Sequence, residues 1–421
     1  MNNNTWIPEL RFPQFENDNK WVEKPLEQIC TLVRGPFGGA LKKEIFVSDG
    51  FVVYEQSHAI YSNLHSFRYR INEEKYKELK RFSVKSGDLI MSCSGTMGKF
   101  AMIPKNFEQG VINQALLKLT AKKGYDNLFV KISLETEDNQ NKLLSQSAGG
   151  AIKNVVAVSQ IKELVVAVPS LSEQQKIAQC FSSLDKVIET NSLKLHLLKE
   201  YKKGLMQNLF PQQEEKKPKH RFPEFENDAD WITKTLHEIA VFSKGKGISK
   251  SDVVKNGALP CIRYGELYTH YKEIIYDVIS YTDIPEEDLI LSQANDVIIP
   301  SSGETHEDIA TSSCVMLDGI ALGGDLNIIR SKVNGVFLSY YLNNVKKREI
   351  AKMAQGISVV HLYSNQLKNL QITFPSIGEQ EKIAKFLSGL DEVINEQNKK
   401  IDYLKLHKRG LMQSLFPQMN D

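Results

Sequence analysis

The sequence predicts an α+β fold: two mixed α/β domains joined by two long antiparallel helices, a coiled coil, arranged as a pseudo-twofold tandem repeat. The first observation behind this is repetition. RFPQFENDNKW (Arg11–Trp21) returns as RFPEFENDADW (Arg221–Trp231), GDLIMSCSG (Gly87–Gly95) as NDVIIPSSG (Asn295–Gly303), and PSLSEQQKIAQCFSSLDKVI (Pro169–Ile188) as PSIGEQEKIAKFLSGLDEVI (Pro375–Ile394). The shifts are 210, 208 and 206 residues, so a domain-sized unit stands twice in the chain, far longer than a solenoid repeat. The second observation is a heptad pattern closing each copy, with apolar residues alternately four and three apart. The third is that the bodies before those tails alternate short apolar runs with turn residues, as strands do. The copies match closely in the tails and only at scattered landmarks between Leu32 and Ala148, so each unit has a variable body and a kept tail.

In chain order, the first body (1–168) reads as strands at DGFVVYEQ, GDLIMSCSG and KFAMIPKN. A loop, a short helical turn and a strand ending at proline close it, in AIKNVVAVSQIKELVVAVPS. The first spacer helix (169–210) is expected to open at Ser172, with Gln175 completing a capping box. Its seam is Ile177, Phe181, Leu184, Ile188, Leu195, Leu198, Leu205 and Leu209, and Pro211 stops it. Residues 211–220 form a polar, proline-interrupted linker, and Lys216, Lys217, Lys219 and Arg221 in or beside it read as a solvated run or as phosphate contacts. The second body (221–374) has strands at GALPCIRYG, NDVIIPSSG and ATSSCVML, a helix at FLSYYLNNVKKREIAKMA, and the same closing pattern in ISVVHLYSNQLKNLQITFPS. The second spacer helix (375–417) carries Ile383, Leu387, Leu390, Ile394, Ile401, Leu404, Leu411 and Leu415 up to Pro417, leaving a tail at 418–421.

A strict two-in-seven seam suits a partner helix better than a globular face, so the two helices are expected to pair with each other. Each run of roughly 38 residues would span about 57 Å. Asn191, Gln397, Lys202 and Lys408 interrupt the seam at matched places, as polar residues that set register do. Gly204 and Gly410 sit inside the helical pattern, where glycine costs about 1 kcal/mol relative to alanine, and imply a close approach at that point.

Composition limits function. Lys plus Arg number 53 against 51 Asp plus Glu, a formal charge of +2, so nucleic-acid binding would require local clustering of charge. Five scattered cysteines with no C-x-x-C pair predict free thiols in a reducing compartment. The chain opens without a basic and apolar leader and has no run long enough to span a membrane, so it is expected to be cytoplasmic. GTMGKF (Gly95–Phe100) is too short for a P-loop. There is no Pro-Pro pair, no G-x-G-x-x-G after a strand and no H-E-x-x-H, and RGPFGGALKK (Arg34–Lys43) reads as a turn. No catalytic residue, metal site or cofactor is expected on this chain. The carboxylates of PEEDLILS and GETHED read as ordinary acidic loops.

What does gather on the predicted loops is basic, hydroxyl and amide. The first body offers Arg34, Lys42, Lys43, Gln56, Ser94, Thr96 and Lys99, with Arg68, Tyr69 and Arg70 nearby in sequence. The second offers Lys244, Lys246, Arg263, Tyr264, Ser301, Ser302 and His361, with Lys250 and Lys272. These residue types hold phosphates and read base edges, and they are assigned here to DNA; a solvated surface position is the plain alternative for any one of them.

Two copies of P-S-x-x-E-Q-x-K-I-A leading through L-D-x-V-I to G-L-M-Q-x-L-F, each body opening on R-F-P-x-F-E-N-D-x-x-W, resemble the specificity subunit of a type I DNA restriction–modification system over essentially the whole chain. The resemblance implies two target recognition domains, each reading one half of a bipartite asymmetric DNA site. It implies that the helices set the unread spacer and help dock two methyltransferase subunits, which bind S-adenosylmethionine and methylate adenine N6. Restriction subunits using ATP and Mg would join that core, and this chain would itself be non-catalytic. The competing reading from residues alone is a coiled-coil adaptor whose two domains bind proteins; a self-sufficient nuclease or methylase is disfavoured by the missing motifs.

Overall fold

The computed structural model describes residues 5–37, 39–145, 158–212, 215–356 and 359–418. The loop residues 151–157 and 357–358, linker residues 213–214 and the tail beyond 418 lie outside them. The chain divides into two compact units, Met1–Asn191 with Lys400–Asp421, and Ser192–Lys399. The division falls inside both long helices. Each unit therefore holds one body, the near part of its own helix, and the last part of the other copy's helix.

In the first unit, one antiparallel sheet runs Cys30–Arg34, Leu116–Ala121, Leu89–Ser92, Phe100–Met102. A second runs Phe46–Val47, Arg70–Ile71, Phe51–Tyr54, Gly110–Ile112, its last pair parallel. Leu89, Met91, Leu117 and Leu119 enter one buried cluster while Ile90 and Leu116 enter another, the period-two alternation of a sheet covered on both faces. The second unit repeats the plan. Ala240–Lys244, Leu326–Ser331, Asp296–Pro300 and Ser313–Val315 form the first sheet, extended by a parallel edge strand, Ile274–Ile275. Val253–Val254, Ser280–Thr282, Leu259–Ile262 and Ala321–Leu322 form the second, its last pair again parallel. An additional short pair, Ser302–Gly303 with Val360–His361, belongs to this body.

The long helices are Leu171–Leu209 and Ile377–Leu415, 39 residues each. The first does not start at Ser172 as expected. Ser170 stands before the first turn and its hydroxyl accepts the Glu173 N–H at 3.4 Å, because the chain turns helical directly after Pro169–Ser170. Between their ends, the sheltered residues of the first helix are Leu184, Ile188, Asn191, Leu195, Leu198 and Lys202, and among those of the second are Ile394, Gln397, Ile401, Leu404 and Lys408. In the first unit Phe181 lies against Phe416, ring centroids 6.3 Å apart, and Asp185 pairs with Lys408. In the second, Lys202 pairs with Asp391 at 2.7 Å while Leu205 and Leu209 share a cluster with Ile383 and Leu387. Numbers rise along one helix as they fall along the other, so the paired segments run antiparallel. The lysine interruptions are thus ion-paired at equivalent places. The glycines are not points of close approach: a Cβ on Gly204 or Gly410 would meet nothing within 4 Å.

The kept peptides find one another. Arg11 grips the buried carboxylate of Glu173 through Nε at 2.8 Å and Nη2 at 2.7 Å, and donates to the Asp18 and Asn19 carbonyls. Arg221 does the same to Glu379, with Nε at 2.9 Å, and to the Asp228 and Ala229 carbonyls. The linker arginine is therefore not a phosphate contact; its donors are spent on the fold. Behind each pair, the terminal phenylalanine of one copy enters the aromatic cluster of the other. Phe416 meets Trp21 and Phe129 at 5.8 and 5.5 Å, and Phe210 meets Phe337 and Tyr341 at 5.6 and 5.8 Å. No helix among the described residues is long and apolar enough to cross a membrane.

Candidate nucleic-acid interface

Four loops meet at one end of the first body, following Arg34, Tyr54, Ser92 and Ile112. Backbone bonds tie them: Gly35 N–H to the Leu116 carbonyl, Asn113 N–H to the Tyr54 carbonyl and Cys93 N–H to the Ala115 carbonyl, each 2.9 Å. Gly35 is required at this crossing, since a Cβ would lie 1.8 Å from the Asn113 carbonyl oxygen. Arg34 ends its strand with Nε and Nη1 buried and without a hydrogen-bond partner among the described residues. Burial pushes the neighbouring Cys93 thiol up to about 11, with the Arg34 guanidinium pulling the other way.

Of the other nominated residues in this body, Lys42, Lys43, Thr96 and Lys99 are exposed. Gln56 is spent internally: its amide nitrogen donates to the Ser94 and Thr96 carbonyls and its oxygen accepts from Ser94 Oγ at 3.1 Å. It braces the loop rather than offering its amide outward. Arg70 is likewise committed, to the Gly50 carbonyl and Glu108. Beside these loops opens a cleft of about 370 Å³ whose lining includes Lys43, Glu55, Tyr69, Asn113 and Gln114. Tyr69 stacks on Phe46 at 4.2 Å, and the Arg68 guanidinium lies 4.8 Å from the Tyr69 ring.

The second body builds the same end with different side chains. Gly245 N–H donates to the Leu326 carbonyl at 3.0 Å and Gly323 N–H to the Ile262 carbonyl at 2.9 Å, and a Cβ on Gly245 would meet the Gly323 carbonyl oxygen at 2.0 Å. Lys244 and Lys246 are exposed, Lys246 standing 4.0 Å from Asp288, a distance and exposure at which an ion pair contributes little. Arg263 and Tyr264 follow their strand half-buried, and Tyr264 packs on the apolar cluster beneath. Ser301 is buried with its hydroxyl unpartnered, while Ser302 Oγ donates to Asp325 at 3.2 Å and lies 3.3 Å from His361 Nδ1. His361 is exposed and stacks with Tyr363. Lys250 is exposed. Lys272 does not join this end; it reaches the second long helix, donating to Asn395 at 2.9 Å.

Sequence reasoning passed over Glu55, Asn113, Gln114 and Asp325. The available signal was local: Glu55 and Asn113–Gln114 directly follow the last apolar residue of a strand, and Asp325 directly precedes one. Among the described residues no group of three or more His, Cys, Asp or Glu is placed to hold a metal.

The chain matches the family described as Type I restriction modification DNA specificity domain twice, over residues 18–200 and 228–405. It is 24% identical over 349 residues to the type I restriction enzyme MjaVIII specificity subunit of Methanocaldococcus jannaschii, covering 80% of each chain. It is 23% identical over 403 residues to the MjaIX specificity subunit of the same organism, covering 94% of this chain and 92% of that one. In fold it is similar to the S subunit of a type I restriction–modification system from M. genitalium, with a TM-score of 0.60, 18% identity, and coverage of 98% of this chain and 100% of that one. A chain described in work on complex assembly and conformational transition of the type I R-M system aligns with a TM-score of 0.54 and 17% identity, covering 94% and 97%.

Proposed function

The chain belongs to the family of type I restriction–modification DNA specificity domains, and from that premise we propose that it is the DNA-reading subunit of such a system and performs no chemistry itself. The observation that carries this is the pair of loop ends built on one backbone plan but dressed with different side chains. Gly35 and Gly245 make the same crossing, yet Asn113–Gln114 in one body are replaced by Gly323–Gly324 in the other. A conserved frame with altered polar side chains is what reading two different half-sites requires. Arg34, Lys42, Lys43, Thr96 and Lys99 serve one half-site, and Lys244, Lys246, Arg263, Ser302 and His361 the other. Gln56 and Ser94 hold their loop in shape, and Tyr264 and Ser301 contribute from below the surface.

Two methyltransferase subunits dock on the long helices, carrying S-adenosylmethionine; restriction subunits bring ATP and Mg. Support for two equivalent docking places comes from the helix ends. In the first unit Arg409, Met412, Gln413 and Gln418 help line a cleft of about 620 Å³, and in the second Lys203, Met206, Gln207 and Gln212 help line one of about 590 Å³. Leu193, Leu197 and Tyr201 on the first helix, and Tyr403 and Leu406 on the second, are more than half exposed, apolar area of the kind a partner helix covers. The complex acts on double-stranded DNA in the cytoplasm.

Methylome sequencing of cells with and without the chain tests the reading. The expected result is loss of one bipartite adenine-methylation motif with two unlike halves. An unchanged methylome would sink it and favour a protein adaptor.

A further inference from the structure

Glu55 and Arg263 occupy one backbone position in the two bodies. Each directly follows the strand that pairs in parallel with its neighbour, Tyr54 opposite Ile112 and Ile262 opposite Leu322. Each has its backbone N–H held by the side chain three residues on, Glu55 by His58 Nδ1 at 2.7 Å and Arg263 by Glu266 Oε2 at 3.1 Å. Each preceding carbonyl accepts the N–H of the residue that crosses the reading end, Asn113 or Gly323, at 2.9 Å. The frame is the same and the charge is inverted.

The surroundings follow the inversion. Glu55 lines the cleft in the first body with Asn113, Gln114, Lys43 and Tyr69. In the second body Gly323 leaves that space to the longer side chain: a Cβ there would lie 3.8 Å from Arg263 Cγ. Among the described residues no hydrogen bond or ion pair claims the Arg263 guanidinium. A carboxylate only accepts, and in the major groove the donors are exocyclic amines, of which cytosine N4 suits Glu. A guanidinium only donates, and guanine O6 with N7 accepts both arms of its fork.

We propose that Glu55 and Arg263 are equivalent base-reading residues: Glu55 selects cytosine in one half-site and Arg263 selects guanine at the matching position of the other. The assignment rests on the DNA-reading function proposed above. Each backbone N–H is held by a side chain of the helical turn that follows, and Glu55 and His58 form a capping box that Gln can keep in Glu55→Gln, so the base-facing group can be changed while the frame stays.

The test uses the full chain co-expressed with its methyltransferase subunit, wild type against Glu55→Gln and Arg263→Gln, read by methylome sequencing. Glu55→Gln is expected to lower discrimination at one position of one half-site by roughly 10–100-fold, leaving the other half intact. Arg263→Gln is expected to do the same at the matching position of the other half, and Arg263→Lys to restore part of the guanine preference. Methylated motifs identical to wild type in both variants overturn the inference. So does loss of methylation at all sites by variants that still assemble with the methyltransferase subunit, since that assigns the residues to affinity rather than to base choice. If wild type itself directs no motif, the DNA-reading function fails first, and that outcome is recorded before any variant is compared.

Discussion

At the scale of single residues, the repeated peptides join each body to its helices rather than serve the interface. Arg11 and Glu173 are 7% and 1% exposed as side chains, Arg221 and Glu379 6% and 1%, so each is a buried, bidentate pair. Removing one charge from such a pair leaves the other unpaired in a poor solvent, a loss of about 3–5 kcal/mol. Glu173→Gln, or Glu379→Gln, is therefore expected to destabilise its own unit by that amount in a urea titration. A change below about 1 kcal/mol would show that the backbone carbonyls around Arg11 hold it unaided. The residue scale is also where sequence reading of the interface was weakest. Gln56 has the chemistry of an adenine reader, yet both ends of its amide are bonded to the Ser94–Thr96 loop. Residue type says which bonds a side chain can make; only the neighbours decide which it has already made.

At the scale of elements, the heptad spacing was enough to place both helices, their proline stops and their sheltered seam, because helical periodicity is local. The glycines in G-L-M-Q-x-L-F were harder. Glycine inside a helix suggests a close neighbour, yet a Cβ at Gly204 or Gly410 would meet open space. The free chain is thus expected to gain about 1 kcal/mol of stability from Gly204→Ala or Gly410→Ala, measured by thermal or urea unfolding. If this face receives the methyltransferase subunit, the two changes combined, Gly204→Ala with Gly410→Ala, should weaken co-purification of that subunit while the free chain becomes more stable. Unchanged assembly would place docking elsewhere on the helices. The feature that sequence reading missed lies one residue beyond each Leu-x-x-x-Leu pair: Phe210 and Phe416, immediately before the prolines, fill the aromatic clusters around Trp231 and Trp21.

At the scale of the whole molecule, two family matches stand in tandem, each covering one copy, and the proposed spacer length belongs to the helices. Four residues inserted after Asn191, with four after Gln397, add about 6 Å of helix. The methylated site is then expected to gain about two base pairs of unread spacer, taking about 34–36 Å per turn of DNA. Methylome sequencing of the insertion variant reads this directly, and retention of the original spacing would remove the helices from that role. The sequence by itself determined the duplication, the strand-rich bodies, the two long helices and the family, since all of these rest on periodicities and peptides read within short windows. Tertiary structure alone decided which body each helix end completes, because Phe416 and Trp21, or Lys408 and Asp185, meet across hundreds of residues and no local pattern encodes the partner. It also decided which loop residues remain unspent, and that Glu55 and Arg263 are one position with opposite charge. That identity is carried by strand register and backbone hydrogen bonds, which persist where the side chains, and hence the sequence signal, have diverged.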